Sequence, residues 1–369
     1  MSTTIPKLAT QVVLHQPPTG FIRSGFGQPD STFAIHETEI PGLQNGQLLI
    51  EILLISNDPT QRGWIRSKHS GIRHYAPAIE IGAPMESYAL GKVIESKSEK
   101  YQQGDIVTGK FYWADFAIVE ENRVFNKTQP DLKVPPEYYL SILGMTSWTA
   151  LLGLTEAGGL KKYLTEKPQK LVVLVSAASG ATGSVVVQVA KHLLGATKVI
   201  GITGSDEKCQ WVNSLGADFS VNYKDPNYQE KLDKYLGDEL VDVYFGNVGG
   251  LILNYALTKM AKYGTVISCG AVATYNGAEQ ANVSNWRDIT LNSLTVKGFI
   301  VTDYYAQIPE AVQILTKAVK EGKLRTKDAY HVETLSGNDL SARLEQIPKI
   351  WDQLFSGEKP NGKLLTKLK

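Results

Sequence analysis

The chain has 369 residues, which favours two domains, because single hydrophobic cores stop growing beyond roughly 250–300 residues. Its 38 Lys and Arg residues balance 37 Asp and Glu residues, so the net charge of +1 gives no electrostatic case for binding nucleic acid or an anionic membrane. The N-terminus lacks the apolar core of a secretory signal, and the longest apolar run, Leu48–Ile55, is too short to span a bilayer. We therefore expect a cytoplasmic protein whose two cysteines are reduced.

Residues 1–138 contain short β-like runs separated by Gly, Pro and Asn-Asp turns. The runs are Gln47–Ser56, Glu86–Glu95, Asp105–Lys110 and Asp115–Val119. This pattern predicts a mostly antiparallel β domain. We expect Pro135–Leu152 to connect to a second domain, because the string at residues 141–154 has helical spacing. We assign the second domain to residues 139–321.

The segment Leu171–Gly183 is the most informative in the chain. Six mostly apolar residues predict a buried parallel strand, and a tight turn with Gly180 and Gly183 leads into the amphipathic run Ser184–Leu194. A Rossmann unit holds a pyrophosphate at such a place, because backbone N–H groups and the positive end of the helix dipole bind negative charge. Since Ala178 occupies the first glycine position of the Gly-x-Gly-x-x-Gly pattern, an ordinary strand-to-helix turn is the alternative interpretation.

The next predicted strand, Lys198–Thr203, bears on the choice between NAD and NADP. An NAD enzyme carries an acidic residue near the end of this strand to bind the ribose 2′-OH. Here Gly204 and Ser205 follow the strand, and Ser205 is expected to cap a helix whose first turn contains two acids. Lys208 lies one turn in, within reach of a phosphate on the adenosine ribose. The missing acid and the available cation favour NADP(H).

Strands and helices continue to alternate to the end of the second domain. The further predicted elements are helix Asp206–Leu215, strand Phe219–Tyr223, helix Tyr228–Leu236, strand Val241–Gly246, helix Leu251–Tyr263, strand Thr265–Gly270 and the extended stretch Ser293–Val301. Six strands with helices between them predict an α/β, doubly wound parallel sheet. Right-handed crossovers bring the loops after the strands to one edge, where we expect the ligand. These loops begin at Ala178, Gly204, Tyr223, Asn247, Gly270 and Phe299.

The C-terminal part is predicted to return to the first domain. A final helix, Ile308–Glu321, is followed by the β-like segments Tyr330–Thr334 and Gly362–Leu368. We expect these segments to complete the β domain, which is therefore assigned to residues 1–138 and 322–369.

Local strings spread over nearly the whole chain carry a family resemblance. They are Asn57-Asp58-Pro59 with Arg62-Gly63, Gly144-Met145-Thr146, Ala177–Gly183, Gly204-Ser205-Asp206-Glu207-Lys208, Asn222-Tyr223-Lys224, Tyr244–Gly250, Cys269-Gly270-Ala271 with Thr274-Tyr275-Asn276, and Asn361-Gly362-Lys363. In this order, the strings resemble the medium-chain dehydrogenases/reductases, specifically the zinc-free branch of NADPH-dependent prostaglandin reductases and alkenal double-bond reductases. The resemblance implies a GroES-like β domain, a Rossmann domain that binds NADP(H), and a homodimer.

The loop edge and the resemblance together give the predicted cofactor-binding residues. They are Pro59, Met145, Thr149, Ser179, Gly180, Ala181, Thr182, Gly183, Gly204, Ser205, Lys208, Tyr223, Asn247, Gly249, Cys269, Gly270, Phe299 and Asn361. Several of them have simpler interpretations: Asn247 and Gly249 suit an ordinary turn, and Tyr223 suits a strand end. Met145 and Thr149 would equally suit a helix core, and Cys269 is expected to place its side chain in the core while its backbone can face the cofactor.

The residue types predict that no metal is bound. Catalytic and structural zinc sites need thiolate and imidazole ligands, but both cysteines, Cys209 and Cys269, fall in the nucleotide domain. Where the zinc branch carries a Gly-His-Glu string, this chain has Gly91-Lys92-Val93.

Without a metal to stabilise an alkoxide, a saturated alcohol is a poor hydride donor, whereas an enone or enal can accept hydride at its β-carbon while the charge moves to an enolate oxygen. The resemblance implies this NADPH-dependent reduction of α,β-unsaturated ketones and aldehydes. Tyr275 is the predicted catalytic residue, because a neutral phenol at the ligand edge can donate a hydrogen bond to that oxygen or to the nicotinamide ribose. A loop tyrosine that packs on the domain interface is the alternative for this residue.

Two other functions stay open at this stage: an NADPH quinone oxidoreductase of the same superfamily, and a non-catalytic NADPH-binding protein. The substrate-side strings also depart from the family. Thr60-Gln61 stand where relatives carry Tyr-Met, Gly246 where they carry an acid, and Thr146 where they carry proline. The substrate pocket is therefore expected to be more polar or wider, and the substrate itself is not specified.

Overall fold

The computed structural model describes residues 6–71, 73–129, 132–277, 282–357 and 359–369. They form two compact units. The first contains the chain up to Leu140 together with His331–Pro360 and Leu364–Lys369, and the second contains Ser141–Tyr330 and Asn361–Lys363. An antiparallel sheet in the first unit and a parallel sheet in the second confirm the predicted fold class.

The described residues form the following strands and helices. The strands are β1 Leu8–Leu14, β2 Phe33–Glu39, β3 Gln47–Ser56, β4 Glu86–Ser96, β5 Ile106–Tyr112, β6 Phe116–Glu120, β7 Val124–Lys127, β8 Val172–Ser176, β9 Lys198–Thr203, β10 Phe219–Asn222, β11 Val241–Gly246, β12 Met260–Ser268, β13 Thr295–Gly298, β14 Tyr330–Thr334 and β15 Lys363–Lys367. The α-helices are α1 Gln61–Trp64, α2 Met145–Leu152, α3 Ala181–Gln188, α4 Asp206–Ser214, α5 Tyr228–Leu236, α6 Gly250–Leu257, α7 Trp286–Leu291, α8 Ile308–Lys320, α9 Leu340–Leu344 and α10 Gln346–Ser356.

The first unit is built on an antiparallel sheet whose strand order is β14-β15-β3-β4-β5-β7, with β6 also paired to β3. Strand β15 comes from the end of the chain and pairs antiparallel with β3. Three buried tryptophans, Trp64, Trp113 and Trp351, lie in its core. The Nε1–H of Trp351 donates to the Asp58 carbonyl at 2.9 Å, so the core holds the turn that follows β3.

The second unit has a parallel sheet with the strand order β10-β9-β8-β11-β12-β13. This is the order of the doubly wound dinucleotide fold, in which ligands bind beyond the carboxyl ends of the central strands. Every residue of β8 is buried, because helices cover both faces of such a sheet. The loops after β8 and β11 therefore meet at the point where the strand order reverses.

One predicted boundary in this unit is wrong. The helix expected over Leu251–Tyr263 ends at Leu257, and β12 begins at Met260 rather than at Thr265. Tyr263 has a φ of +65°, and the pairing of β12 with β11 shifts register beyond Met260, so the strand starts early and contains an irregular turn. The apolar residues of Leu251–Tyr263 have helical spacing, which is why a helix was predicted there. Met260, however, is a buried residue of β12.

No helix within the described ranges is both long and apolar enough to cross a membrane. The cytoplasmic location stays a prediction.

Candidate active site

The loop after β8 forms a tight cradle at the start of α3. The N–H of Gly180 donates to the Ala177 carbonyl at 2.9 Å, and Ala177 has a φ of +49°. A Cβ placed on Gly183 would lie 2.2 Å from the same carbonyl oxygen, so only glycine lets the first turn of the helix pack against the loop. The chain here is compact enough for a pyrophosphate to approach its backbone closely.

The amino end of α3 presents N–H groups to that cradle. The first bond inside the helix runs from the Ser184 N–H to the Gly180 carbonyl at 2.9 Å, so the N–H groups of Ala181, Thr182 and Gly183 precede the helical ladder. Ser179 is buried, whereas Ala181 and Thr182 are partly exposed. These N–H groups and the helix dipole suit a bound anion.

Ala178, the departure from the glycine pattern, is accommodated by a neighbouring strand. Its N–H donates to the Ile202 carbonyl at 3.0 Å, and its side chain is fully buried. A Cβ on Gly201 of β9 would approach the Ala178 methyl to 3.0 Å. A glycine in β9 therefore makes room for the alanine, and the departure does not disrupt the cradle.

The loops after β9 and β10 form a second, charged corner. The Ser205 Oγ caps α4 by accepting from the Lys208 N–H at 3.2 Å. Tyr223 donates its N–H to the Thr203 carbonyl at 2.9 Å, and its ring lies 3.2 Å from the position of a Cβ on Gly204. Four predicted cofactor residues thus lie together.

Two lysines share this corner. Burial lowers the pKa of Lys208, and repulsion from Lys224 lowers it further, against a smaller opposing effect of Glu207. Lys224 belongs to the family string Asn222-Tyr223-Lys224 but is not among the predicted site residues; its place directly after Tyr223 is the sequence signal for it. Two ammonium groups that repel each other are stabilised by an anion between them, as a ribose 2′-phosphate would be.

The ends of β8 and β11 are joined through Asn247. Its backbone N–H donates to Ser176 Oγ at 2.9 Å, and its Nδ2 donates to the Ser176 carbonyl at 2.7 Å. Gly249 has a φ of +73°, and a Cβ there would lie 3.2 Å from that of Ala271. Asn247 therefore positions the loops at the reversal point, and Ser176 is a positioning residue that the sequence analysis missed.

The loop after β12 brings Tyr275 to the same edge. The N–H groups of Cys269 and Gly270 both donate to the Gly246 carbonyl, at 2.9 and 3.0 Å. The hydroxyl of Tyr275, which is partly buried, lies 3.5 Å from the position of a Cβ on Gly270. Burial raises the pKa of the Cys269 thiol to about 12, so the thiol stays protonated and the residue can offer its backbone but not a thiolate.

The chain's C-terminal segment adds an unsatisfied acceptor beside the cradle. The N–H of Gly362 donates to the Ser179 carbonyl at 2.9 Å, and Gly180 and Gly362 form a parallel bridge. Next to Gly362, the Asn361 Oδ1 is buried and has no hydrogen-bond partner within the part of the chain that is described. A buried acceptor of this kind is costly unless a ligand donates to it. The hydroxyl or amide groups of a dinucleotide fit that requirement.

For the remaining predicted residues, the structure shows fewer contacts with the loops that follow the parallel strands. Met145 and Thr149 are partly exposed on α2, and the Thr149 hydroxyl donates to the Met145 carbonyl at 2.8 Å. Phe299 is buried, with its ring 5.3 Å from that of Tyr304. Pro59 belongs to the first unit, in the turn after β3, where its carbonyl accepts from the Arg62 N–H at 3.1 Å.

The described residues contain no group of three or more His, Cys, Asp or Glu side chains that could hold a metal ion. That the protein binds no metal stays a prediction, which measurements on the purified protein must test. The cradle, the lysine pair and the Asn361 acceptor fit a phosphorylated dinucleotide.

Comparison with known proteins places this geometry in a family. Residues 181–317 match the model of zinc-binding dehydrogenases, and residues 11–126 match that of the N-terminal domain of oxidoreductases. The chain is 34% identical to the NADP(+)-dependent 2-alkenal reductase of Nicotiana tabacum, covering 85% of each chain. It is 33% identical to prostaglandin reductase 1 of Rattus norvegicus, covering 89% of this chain and 92% of the other.

Two further comparisons extend over almost the whole chain. A Saccharomyces cerevisiae protein named as an uncharacterized membrane protein is 33% identical over 98% of both chains. The crystal structure of CurA from Vibrio vulnificus in complex with NADPH superposes with a TM-score of 0.81 at 26% identity, covering 98% of this chain and 99% of that one. The chain therefore belongs to the medium-chain dehydrogenases/reductases, in the branch of the prostaglandin and alkenal reductases.

Proposed function

We propose that this protein uses NADPH to reduce the carbon–carbon double bond of α,β-unsaturated ketones and aldehydes. The observation that carries the proposal is the position of the Tyr275 hydroxyl beside Gly270, on the sheet edge that holds the phosphate cradle. It is joined by the similarity to enzymes named 2-alkenal reductase and prostaglandin reductase over most of the chain. The enzyme is an NADP-dependent oxidoreductase.

Different residues of the chain bind different parts of the cofactor. The N–H groups at the start of α3 bind the pyrophosphate, and Ser205, Lys208 and Tyr223 hold the ribose 2′-phosphate. Lys224 adds a second positive charge beside that phosphate. The Asn361 Oδ1 accepts a hydrogen bond from the cofactor. These contacts fix the cofactor before any reaction, so that orientation contributes to the rate.

Bound NADPH supplies a hydride to the substrate's β-carbon. As the new carbon–hydrogen bond forms, the double bond's electrons move toward the carbonyl and negative charge develops on its oxygen. Tyr275 donates a hydrogen bond to that oxygen, an interaction that is stronger in the transition state than in the bound substrate. The α-carbon of the enolate then takes a proton that comes from solvent water, which completes the reduction.

Initial rates of NADPH oxidation across a small panel test this proposal. The panel contains enones, enals, quinones and allylic alcohols, with NADH as the alternative donor. We expect turnover of enones and enals, and the saturated carbonyl compound as the product by mass spectrometry. Turnover restricted to quinones would replace the proposal by a quinone reductase, and NADPH binding without turnover of any compound would replace it by a binding protein.

We also infer that two copies associate through the β13 edge of the parallel sheet. Within the described residues β13 pairs with β12 alone, which leaves a row of backbone groups available to another strand. Apolar side chains surround this edge: Val296 is 45% exposed and Trp286 is 67% exposed. Light scattering should give about twice the mass of the 40.5 kDa chain, and Val296→Lys should shift it to the monomer. A monomeric wild type would refute this association.

A further inference from the structure

The second unit contains an open cavity of about 490 Å³, away from the loops that are assigned to the cofactor. Three segments line it: the end of α3 with the turn Val189–Leu193 that continues it, the end of α4, and the loop after α8. Its polar lining residues are Gln188, Lys191, His192, Ser214, Lys323 and Arg325. All of them belong to the second unit, so the cavity is formed within one compact body.

This cavity lies at the edge of the parallel sheet opposite to the phosphate cradle. Both α3 and α4 begin at the carboxyl ends of strands, and a crossover helix runs back antiparallel to the strand before it. The cavity is lined by the last residue of each helix, Gln188 and Ser214. Lys191 bonds Asp218, which also accepts from the Val199 N–H near the start of β9, at 2.8 Å. The length of α3 therefore separates this cavity from the cradle.

The charged side chains that line the cavity are cations. Lys191 and Lys323 contribute ammonium groups, and Arg325 contributes a guanidinium group. Among the described residues, no Asp or Glu lines the cavity. The acids that pair with these three cations lie outside the lining: Asp218, Glu321 and Asp328. The cavity therefore offers positive charge and N–H donors to an anion.

Arg325 is held in place from two helices. Its backbone N–H donates to Gln188 Oε1 at 2.6 Å, and Gln188 is 2% exposed. Its Nη1 donates to Ser214 Oγ at 2.9 Å, and this hydroxyl donates in turn to the Trp211 carbonyl at 2.6 Å. A guanidinium group that is fixed in this way loses little conformational entropy when it binds an oxyanion.

The cations of the cavity have donors that the protein does not use. A guanidinium group has five N–H donors, and within the described residues that of Arg325 donates to Ser214 and, at 3.3 Å, to Asp328. Lys191 Nζ has three N–H donors and bonds the two oxygens of Asp218, at 2.7 and 2.9 Å. A phosphoryl group carries a charge of about −1.5 to −2 and three acceptor oxygens, so it matches the remaining donors.

The His192 ring is fixed at the same cavity. Its Nε2–H donates to the Leu215 carbonyl at 2.8 Å, since a carbonyl can only accept. A Cβ on Gly216 would lie 2.6 Å from this nitrogen, and Gly216 has a φ of +117°, so glycine is needed for the ring to reach that carbonyl. The Nδ1 of His192 makes no hydrogen bond to a described residue, which leaves it for a hydroxyl of a bound molecule.

A simpler role of positive charge explains only part of this arrangement. Lys191 and His192 lie in the last turn of the segment that continues α3, where cations offset the negative end of the helix dipole. This effect falls off within one turn. Arg325, however, lies in a loop beyond the end of α8, and side chains of two other helices hold it. The helix dipole does not account for its position.

We propose that this cavity, which we call the Arg325 site, binds a small molecule that carries a phosphoryl group, through Arg325, Lys191 and Lys323. Three cations match the charge of a phosphate monoester better than that of a single carboxylate. The volume is within the range of small-molecule sites, about 300–1,000 Å³, so the organic part of a monoester also fits. The site goes beyond the proposed function, because it contacts neither the cofactor nor the substrate of that reaction.

Calorimetric titration with glycerol 3-phosphate tests the proposal on protein that is saturated with NADP⁺, so that the cofactor's own phosphate sites are filled. We expect saturable binding of one molecule per chain, and much weaker binding of glycerate, the carboxylate counterpart. Arg325→Gln should weaken binding of glycerol 3-phosphate by about 10- to 150-fold, as the loss of a charge-assisted contact does. Lys323→Gln, which removes a more exposed cation, should weaken it by about 2- to 5-fold.

The controls separate this site from other effects of charge. Lys327→Gln removes an exposed lysine of the same loop that does not line the cavity, and it should leave the affinity unchanged. Melting temperatures establish that each variant folds, and Lys323→Gln keeps the test informative if Arg325→Gln does not. Absence of saturable binding, wild-type affinity in both variants, or binding that NADP⁺ abolishes would overturn the Arg325 site. Binding to phosphatidic acid vesicles without binding of glycerol 3-phosphate would also overturn it, because the ligand would then be a lipid headgroup.

Discussion

In our proposal, the phosphate cradle after β8 and the charged corner after β9 and β10 bind the same kind of group by different means. The cradle relies on backbone: a left-handed Ala177, a close approach at Gly183 and the N–H groups at the start of α3. The corner relies on side chains, with Lys208 and Lys224 close enough to repel each other. Backbone donors can serve any dinucleotide, whereas we propose that the two ammonium groups select one with a 2′-phosphate. Affinity and cofactor choice are thus separable.

The largest effect is expected where the backbone itself is changed. Gly183→Ala would place a Cβ 2.2 Å from the Ala177 carbonyl oxygen, so the loop or the helix must move, at a cost of about 1–3 kcal/mol. We expect binding of NADPH and NADH to be lost together, as measured by fluorescence titration, and the melting temperature to fall. Gly42→Ala, where a Cβ would meet nothing within 4 Å, is the matched control. Retained NADH binding would show that the cradle tolerates a side chain.

The difference between the two regions also explains what the sequence could predict. The glycines of the cradle indicate a tight turn that binds a ligand through its backbone. The strand, turn and helix there were predicted with a boundary error of a few residues at most. The parallel order of the sheet followed from alternating strands and helices. These features depend on local sequence, which apolar spacing and turn residues report directly.

Contacts between distant segments were not predictable in the same way. The proximity of Lys224 to Lys208, the bond from Asn247 to Ser176 and the unsatisfied Asn361 acceptor beside Ser179 depend on how separate loops meet. Composition carries no signal of such pairings. The start of β12 at Met260 was predicted wrongly for a related reason. The apolar spacing there is helical, but pairing with β11 makes the segment a strand.

The charged corner should discriminate between cofactors. Lys208→Ala removes a partly exposed charge-assisted contact of about 1.5–3 kcal/mol, so KM for NADPH should rise by roughly 10- to 150-fold while KM for NADH stays nearly unchanged. Lys224→Ala should give the same selectivity with a smaller rise. Lys234→Ala, an exposed lysine on α5, is the control. Equal losses with both cofactors would make Lys208 an ordinary helix residue.

Tyr275 tests whether the edge does chemistry as well as binding. Tyr275→Phe removes a donor to the developing enolate oxygen, so kcat and kcat/KM should fall together while NADPH binding changes little. The loss of one oxyanion donor costs about 10²–10³ in rate, and a ribose hydroxyl of the cofactor can also donate to this oxygen, so we expect about 10²-fold or less. Stopped-flow hydride transfer gives the measurement. Wild-type kcat with weakened NADPH binding would instead assign Tyr275 to the cofactor.

A smaller effect should appear in the pH dependence of cofactor choice. Because burial and then Lys224 lower the pKa of Lys208, its ammonium loses its proton at a lower pH than an ordinary lysine does. KM for NADPH should therefore begin to rise at a lower pH than the ordinary lysine pKa of about 10.4 would give, with no matching rise for NADH. Lys208→Arg keeps the charge at these pH values and should flatten the NADPH profile. Parallel profiles for both cofactors in the wild type would contradict this assignment.

Removal of metal ions is expected to have no effect, because neither the cradle nor the charged corner uses a metal in our proposal. The described residues contain no group of three or more His, Cys, Asp or Glu side chains placed to bind one. Burial raises the pKa of Cys269 to about 12 and also raises that of Cys209, so both thiols stay protonated at neutral pH. Exhaustive dialysis against a chelator should leave both enone turnover and melting temperature unchanged. Stoichiometric zinc in elemental analysis of the purified protein would overturn the metal-free assignment.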